Sequence, residues 1–489
     1  MGFMRFHVCP AERITDEMVQ HAYLSGADHI AWPVRTTVDG ENLLLQRAVS
    51  DSANLHVPWL VDGRGLLVLT TGSLIERPEP YPLPLELARG TLVQVRNQLS
   101  EWQMTGLMPP PAIGKRLAMA VEKLSWAVVK QDDSAVSARY AEDSLRATLD
   151  AADLLATAYA EQPARWKKFQ TATPLLGADL GMTLLDEYVS RHFLTTFNAA
   201  ETPICWRDVE TTEGHFDWAT TDRQIEWCRT HGLKVLAGPL LLLDRRALPD
   251  WLSLFEDEFE DVVACVSTFI QAAVKRYRGK VDGWICAGRV NAAEVLAISE
   301  QDRVQLVARA VELVRSLDPV TPALVSFDQP WAECLRQRRS DFPPLHFADA
   351  LVRADLGLGG LMLEINIGSH PGGTLPRQPL EFHRQIDAWT KLGLPLWLSL
   401  SSPGGRGEDP LALRKATTSA GCWTPEAQQA WALRFVPLAL GKPAVQGVIW
   451  NQLCDSQPHD FPHAGLFDAA RKAKPALRTL AAIRQTFLK

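Results

Sequence analysis

Short apolar runs alternate with amphipathic stretches along the chain after residue 174. Eight of these runs have the length and apolar character of buried strands, namely "PLLGADLG", "HFLTTFN", "LKVLAGPLLLL", "VDGWICAG", "ALVSF", "GGLMLEI", "LPLWLSLS" and "VQGVIWNQL". Helical stretches such as "DRQIEWCRTHG" separate most of them. The alternation predicts an α/β fold, a parallel (β/α)8 TIM barrel over residues 174–489, with its chemistry at the C-terminal ends of the strands.

The residues before the barrel show two other patterns. Residues 1–98 contain the strand-like runs "HIAWPVRTTV", "LHVPWLV", "LLVLTTGSL" and "GTLVQVRNQL", separated by turn-forming residues. The stretch "PEPYPLPLELARG" is predicted to be irregular, because proline removes a donor from a strand ladder. Residues 99–173 have apolar positions three and four residues apart, with a turn at Asp132–Ser134. The prediction is a β-sandwich-like N-terminal domain (1–98), a helical hairpin linker (99–173) and the barrel (174–489).

Composition narrows the class of protein. The chain has 489 residues, 46% of them hydrophobic and 22% charged, with a net charge of −7, all ordinary for a globular protein. It has neither a long basic run nor a long apolar run, so the sequence predicts no nucleic acid partner and no membrane span. The eight cysteines are scattered singly and the N-terminus lacks the pattern of a signal peptide. We therefore expect free thiols and a cytoplasmic location.

Several motifs in the barrel region match one known family in the same order. They are "FNAAETPICWRDVETTEGHFDWATTDRQIEWCRTHGLKVLAGPLL", "RYRGKVDGW", "LVSFDQP", "GLMLEIN" and "GVIWNQLCDSQPHDFPHAGLFDAARKAKPAL". Together these motifs resemble family 10 glycoside hydrolases, the family of many xylanases. The resemblance implies a TIM barrel and a carbohydrate ligand.

The residues that carry the chemistry of that family differ in this chain. Retaining glycosidases use an acid/base carboxylate and a nucleophilic carboxylate about 5 Å apart. By the resemblance, Arg289 stands at the acid/base position on strand four, and Leu400 stands at the nucleophile position on strand seven. Pro239 stands at a sugar-binding histidine. An arginine side chain stays protonated at any working pH, so the two-glutamate reaction is not expected to run.

Three carboxylates are candidates for a displaced catalytic role: Glu364, Asp328 and Asp244. The resemblance puts Glu364 on strand six in place of a sugar-binding amide. We expect it to pair with Arg289 across the barrel mouth, with Asp328 on strand five as the alternative partner. A structural charge pair is the favoured interpretation of Glu364, ahead of ligand contact and of new catalysis. Asp244 either lies at the mouth after strand three or begins a polar loop.

The candidate substrate-binding residues are Trp206, Arg289, Asn291, Glu364, Asn366 and Trp450. An indole face can stack on the apolar face of a sugar ring, and Trp331 is a further candidate, although most of the 16 tryptophans are expected in the core. Glu294 is expected to begin the next helix. His459, Asp460 and His463 form only a weak metal-site pattern, because two histidines in one loop would need a third ligand and supporting hydrogen bonds. No cofactor motif is present, so neither a metal nor a cofactor is predicted.

Three functions remain open. The first is a catalytically degenerate relative of the family 10 barrel that binds carbohydrate or acts as a scaffold. The second is an active O-glycosyl hydrolase that uses displaced carboxylates. The third is a structural or assembly protein without a sugar ligand. The missing acids favour the first and third, so whether the protein is an enzyme stays open at this point, as do its protein partners and oligomeric state.

Overall fold

A computed structural model describes most of the chain. The described residues are 2–162, 173–255, 258–291, 296, 298–336, 342–370, 373–413, 417–418 and 423–488. Glu294 and Cys422 lie outside them. In the described ranges, no helix combines the length and the apolar character that crossing a bilayer requires.

Two four-stranded sheets form the β-rich N-terminal region. Their strands are β1 (Gly2–His7), β2 (Tyr23–Ser25), β3 (Ala31–Trp32), β4 (Arg35–Asp39), β5 (Asn42–Arg47), β6 (Asn54–Val61), β7 (Gly65–Thr70) and β8 (Tyr81–Pro82), with α1 (Asp16–His21) and a 3-10 turn (Ala11–Arg13) between β1 and β2. The sheet orders are β4-β5-β1-β8 and β3-β2-β6-β7. Side chains of both sheets, including Phe6 and Val57, pack into one core.

Three helices follow these sheets: α2 (Leu83–Met104), α3 (Pro111–Val129) and α4 (Ser134–Ala160). α3 and α4 are antiparallel, because Ser137 Oγ donates to Ala127 O while Ser144 Oγ donates to Ala120 O, each at 2.8 Å. The predicted turn between them is confirmed. Asp133 ends that turn and caps α4, accepting the backbone N–H of Val136 at 3.1 Å.

Helix α2 corrects two predictions, since it covers "GTLVQVRNQL" and begins inside the proline-rich stretch. Pro84 lies in its first turn, where the backbone N–H has no helical partner and proline is tolerated. Leu83, Leu87, Thr91 and Val95 are buried four residues apart along one face. Packing of that face outweighs the β propensity of the valines and threonine.

Eight parallel strands close into the predicted barrel. They are β9 (Leu175–Asp179), β10 (Ala199–Thr202), β11 (Lys234–Ala237), β13 (Gly283–Gly288), β14 (Ala323–Asp328), β15 (Gly360–Asn366), β17 (Leu396–Ser401) and β19 (Val445–Trp450), with a two-residue extension β12 (Leu241–Leu242) after β11. β11 pairs with β13 and β19 pairs with β9, which closes the ring. A small ladder of β16 (Ser369–His370) and β18 (Thr417–Thr418) lies outside it.

Helices surround the strands. They are α5 (Glu187–Thr196), α6 (Trp206–Val209), α7 (Ala219–Thr230), α8 (Phe259–Tyr277), α9 (Glu300–Leu317), α10 (Glu333–Arg336), α11 (Pro344–Arg353), α12 (Pro379–Thr390), α13 (Pro425–Leu440) and α14 (Pro475–Phe487), with a 3-10 segment (Asp250–Phe255) before α8. Several of these helices begin with residues that are typical of helix N-termini. Ser299 and Asp302 form a capping box at α9, and α11, α12, α13 and α14 have proline in the first turn.

The second barrel strand is not where the sequence placed it. The run "HFLTTFN" forms the end of α5, and the strand is the following "AAET". Val189, Phe193 and Phe197 are buried at a four-residue spacing, which is helical, and Asp186 caps the helix. The other seven predicted strands are confirmed.

Side chains along each strand alternate between the barrel interior and the layer beneath the helices. The interior cluster contains Leu236, Ile285, Leu324, Met362, Trp397 and Ile449. Strand positions two and four residues further along therefore also point inward, at the C-terminal mouth. This alternation decides which polar residues meet at the mouth.

The loop before α12 joins the barrel to the N-terminal region. The backbone N–H of Val68 on β7 donates to Pro376 O at 2.8 Å. Beside it, the guanidinium of Arg377 pairs with Glu333 at 2.9 Å and donates to the hydroxyl of Tyr23 at 3.3 Å. The Arg377 side chain is almost fully buried, so this contact is part of the core.

Candidate active site

Arg289 occupies the centre of the barrel mouth, directly after β13, with a left-handed backbone (φ 55°). Its guanidinium lies 2.5 Å from Asp460 Oδ2, 3.3 Å from Asp244 Oδ2 and 3.4 Å from Glu364 Oε2. The predicted ion pair with Glu364 is therefore confirmed. Asp460, from the loop after β19, is the nearest carboxylate, and sequence reasoning did not select it as a partner.

A second arginine extends the cluster. Arg246 pairs with Asp244 at 2.6 Å and with Asp460 at 2.9 Å. Burial would raise the pKa of Asp244, but the hydrogen bonds from Arg246 and the charge of Arg289 lower it to about 2. Burial would lower the pKa of Arg289, and the surrounding carboxylates raise it instead. Asp244 is thus ionised and lies at the mouth, the first of its two predicted positions.

Glu364 points inward from β15. Its Oε1 accepts the hydroxyl of Ser326 on β14 at 2.8 Å, while Oε2 faces Arg289. Asp328 also points inward at the end of β14 and adds to the negative potential at Arg289. Asn291 is fully buried and binds the backbone of Asp328, donating to its carbonyl at 2.6 Å and accepting its N–H at 3.0 Å. Asn291 therefore fixes the end of β14.

The inward side chains of the sixth, seventh and eighth strands form a neutral hydrogen-bonded group. Asn366 Oδ1 accepts from Ser401 Oγ at 2.7 Å and from Asn451 Nδ2 at 2.8 Å. Leu400 is not part of this group, because it packs beneath the helices with Leu398. The inward residues on the seventh strand are Ser399 and Ser401, so the residue matched to the nucleophile position by sequence lies on the other face of the strand.

A cavity of about 240 Å³ opens beside this cluster, and we call it the mouth pocket. Arg289, Glu364, Asp460, Asp179 and Glu201 all line it. Asp179 and Glu201 were not among the predicted site residues. Each follows an apolar stretch at or near the end of a barrel strand, which is a signal that the sequence contained.

Asp179 and Glu201 lie in a different electrostatic setting from Asp244. Burial, with the charges of Asp460 and Glu364, raises the pKa of Asp179 to about 7. Burial, with the charges of Asp179 and Glu364, raises the pKa of Glu201 well above its usual range. Arg289 opposes both shifts without cancelling them. These two carboxyl groups therefore retain protons near neutral pH.

The predicted tryptophan contacts lie outside the pocket. Trp206 is 2% exposed, stacks on Phe269 and donates to Glu210 at 2.7 Å. Trp450 is 1% exposed and donates to Ala464 O at 3.0 Å, beneath α13. Trp331 lies under Arg377, away from the pocket. Among the residues that the structure describes, no tryptophan lines the mouth pocket, and Phe461 is its aromatic wall.

Asp409 contacts both histidines of the loop after β19, His459 and His463. His459 Nε2 lies 2.9 Å from Asp409 Oδ2, and the backbone N–H of His463 donates to the same oxygen at 2.9 Å. Asp460 points away to the two arginines. Within the described ranges, no group of three or more histidine, cysteine, aspartate or glutamate side chains could hold a metal ion.

Comparison with known proteins defines the class of the barrel. The model of glycosyl hydrolase family 10 matches residues 179–290, the segment from the end of β9 to just after β13. It includes Asp179, Glu201 and Arg289. No curated protein sequence matches the chain.

Solved structures extend the likeness to the whole barrel. Xylanase 10B from Thermotoga petrophila, solved in complex with xylobiose, superposes with a TM-score of 0.50 at 14% identity, covering 65% of this chain and 95% of that one. Native xylanase 10B from Thermotoga maritima gives 0.50 at 14% identity, covering 66% and 98%. An endoxylanase from a sugarcane soil metagenome gives 0.50 at 14%, covering 65% and 99%. The barrel has the fold of family 10 xylanases, and the protein is glycoside-hydrolase-like.

Proposed function

We propose that the mouth pocket binds a carbohydrate and that the protein does not cleave it by the two-glutamate reaction of the family 10 fold. The observation that carries this proposal is Arg289. It stands where the sequence resemblance places the acid/base residue, and three carboxylates hold it there.

The chemistry of the mouth supports the loss of that reaction. The guanidinium of Arg289 cannot give up a proton, because its neighbours hold its pKa above the ordinary value. On the seventh strand, Ser399 and Ser401 point inward, so this strand supplies no carboxylate to attack an anomeric carbon. Neither required group is therefore available at its expected place.

The remaining lining suits a ligand rich in hydroxyl groups. The side-chain amides of Asn451, Gln452 and Gln457 both donate and accept hydrogen bonds, and carboxylates accept from hydroxyls. Ile204 and Leu242 add apolar surface. A few polar groups on a mainly apolar wall are typical of small-molecule sites.

The test is calorimetric binding of xylobiose and xylotetraose. We expect binding that weakens at least tenfold in Asn451→Ala, whereas Asn97→Ala on the exposed face of α2 leaves it unchanged. Purified protein on xylan and aryl xylosides should give no product above buffer. Absence of binding to every sugar tested would refute the proposal and favour a scaffold without a sugar ligand.

One observation favours a second function, hydrolysis by displaced carboxylates. Asp179 and Glu201 have raised pKa values, and Glu364 lines the same pocket. Glycosidases require a protonated acid and a second carboxyl group flanking the scissile bond. A rate on xylan that is well above buffer, and is abolished by Glu364→Gln or Glu201→Gln, would establish this function in place of the first.

A further inference from the structure

Asp179 and Glu201 stand side by side on neighbouring strands. They are direct register partners in the parallel pairing of β9 and β10. Neighbouring strands lie about 4.8 Å apart, and register partners point to the same face of a sheet. Both line the mouth pocket, so the two carboxyl groups form a pair on its wall, which we call the acid pair.

The carboxyl oxygens of the acid pair do not all have hydrogen-bond partners in the ranges that the structure describes. Glu201 is 6% exposed, and its Oε2 atom has no hydrogen-bond partner among the described residues. One oxygen of Asp179 accepts the backbone N–H of Gly181 at 2.8 Å. Within the described part of the chain, neither carboxyl group has a basic side chain at salt-bridge distance, because Arg289 is held by Asp460, Asp244 and Glu364. Buried polar atoms without a partner are rare, and this one borders a cavity.

The charged side chains around the pocket indicate which charge a ligand of the acid pair should carry. From the other strands and loops, Arg289, Glu364, Asp460 and His459 line the same pocket as the acid pair, as do the thiols of Cys205 and Cys454. Four carboxyl groups line the pocket against one guanidinium. Asp244 and Arg246 add one charge of each sign beside it, and Arg246 pairs with both Asp244 and Asp460. The pocket thus has an excess of acidic groups and would favour a cation.

We infer that the acid pair is the receptor for an ammonium group, so that the carbohydrate bound in the mouth pocket is an amino sugar. This inference rests on the proposed carbohydrate function and names the class of sugar. In the empty pocket both carboxyl groups of the acid pair retain protons, because burial and the charges of nearby carboxylates disfavour their ionised forms. When the ammonium binds, its positive charge favours the ionised carboxylates, and protons leave the pair. The balance is one ammonium taken up and up to two protons released to solvent.

An ammonium group fits the acid pair better than a metal ion. Two adjacent carboxylates can accept two of the three ammonium N–H bonds. A divalent ion needs more oxygen ligands, commonly six or more. Within the described residues, no cluster of three metal-binding side chains is present. Calcium and magnesium are therefore controls in the test.

The experiment compares three disaccharides that differ at the amino position. Chitobiose carries ammonium groups, N,N′-diacetylchitobiose carries neutral amides, and cellobiose carries hydroxyls. Calorimetry at pH 6 in two buffers of different ionisation enthalpy, neither containing a primary amine, measures affinity and proton release together. We expect chitobiose to bind at least tenfold more tightly than the other two, and its binding to release protons from the acid pair. This readout needs no variant.

Variants assign the effect to the acid pair. Asp179→Asn and Glu201→Gln keep the shape and each remove one ionisable carboxyl group, so each should abolish the tenfold preference for chitobiose and reduce the proton release. Asp132→Asn and Glu122→Gln, both on exposed surface, should change neither. Circular dichroism checks that each variant is folded, and the buffer comparison on the unaltered protein decides the question if one is not.

The outcomes separate the two proposals. Equal affinity for chitobiose and cellobiose without proton release overturns the amino-sugar inference and leaves carbohydrate binding standing. Binding of calcium or magnesium at the acid pair, without chitobiose binding, also overturns it. If none of the three disaccharides nor the xylo-oligosaccharides bind, both proposals fall.

Discussion

The Nε of Arg289 faces Glu364 Oε2 at 3.4 Å, an ion pair that spans from the fourth strand of the barrel to the sixth. Between them, on the fifth strand, Ser326 donates to the other oxygen of Glu364 at 2.8 Å. The pair therefore ties three strands together at the C-terminal mouth of the barrel.

Replacing Arg289 should destabilise the fold strongly. Arg289→Met would leave Glu364 without its arginine and would leave Asp244 and Asp460 with Arg246 alone. Breaking a buried pair typically costs about 3–5 kcal/mol. Urea unfolding at pH 7 measures this loss. Arg245→Met, at an exposed position in the loop after β12, is the matched control. Equal stability of the two variants would show that the cluster contributes nothing to the fold.

Asp179 should make the protein less stable as the pH rises. Its pKa is about 7 in the folded protein, so the native state keeps a proton that the unfolded chain loses near pH 4. In that window the native state binds more protons, so the free energy of unfolding falls with rising pH. Asp179→Asn should remove this fall and be about 1–3 kcal/mol more stable than the unaltered protein at pH 8. Unfolding curves at pH 5 and pH 8 test the sign, and an Asp179→Asn difference that does not change with pH would contradict it.

Asp244 should make the protein less stable as the pH falls, the opposite of the effect of Asp179. Its pKa of about 2 lies below that of an unfolded aspartate, so its contribution is present above about pH 4 and is lost as the pH falls towards 2. Asp244→Asn should cost about 2 kcal/mol at pH 7, and the difference should shrink in acid. Asp39→Asn, in the exposed hairpin of β4 and β5, should show no such dependence. A constant deficit for Asp244→Asn at every pH would point to lost packing instead.

Arg377 should couple the barrel to the N-terminal region. Its guanidinium is nearly fully buried between Glu333 and Tyr23. Arg377→Met should therefore lower the free energy of unfolding by about 3–5 kcal/mol. Arg5→Met, on an exposed position of β1, should change it by less than about 0.5 kcal/mol. Similar losses for both variants would mean that the contact does not hold the two regions together.

Much of the barrel could be predicted because a buried parallel strand leaves a local signal. Runs such as "GGLMLEI" are continuous in apolar residues, and helices with a polar face separate them. The second strand was missed because it has only four residues, Ala199–Thr202, and the apolar end of α5 precedes it. A strand of four residues is too short to give a recognisable apolar run, and it forms through pairing with the strands beside it.

The site was predicted in part, for a related reason. Arg289 and Glu364 could be paired because the resemblance assigned each to a strand end. Asp179 and Glu201 become neighbours only through the register of β9 and β10, which cannot be read from the sequence. Leu400 was assigned to the wrong face for the same reason, since a shift of one residue along a strand reverses the direction of the side chain.

The backbone hydrogen bond from Val68 to Pro376 also covers part of a sheet edge. β7 is the edge strand of its sheet, and an edge strand offers unpaired N–H and C=O groups to any other strand it meets. The loop before α12 occupies part of this edge. The barrel therefore shields its neighbour against strand pairing between molecules, and a shortened chain that ended before residue 376 would present that edge to other copies of itself.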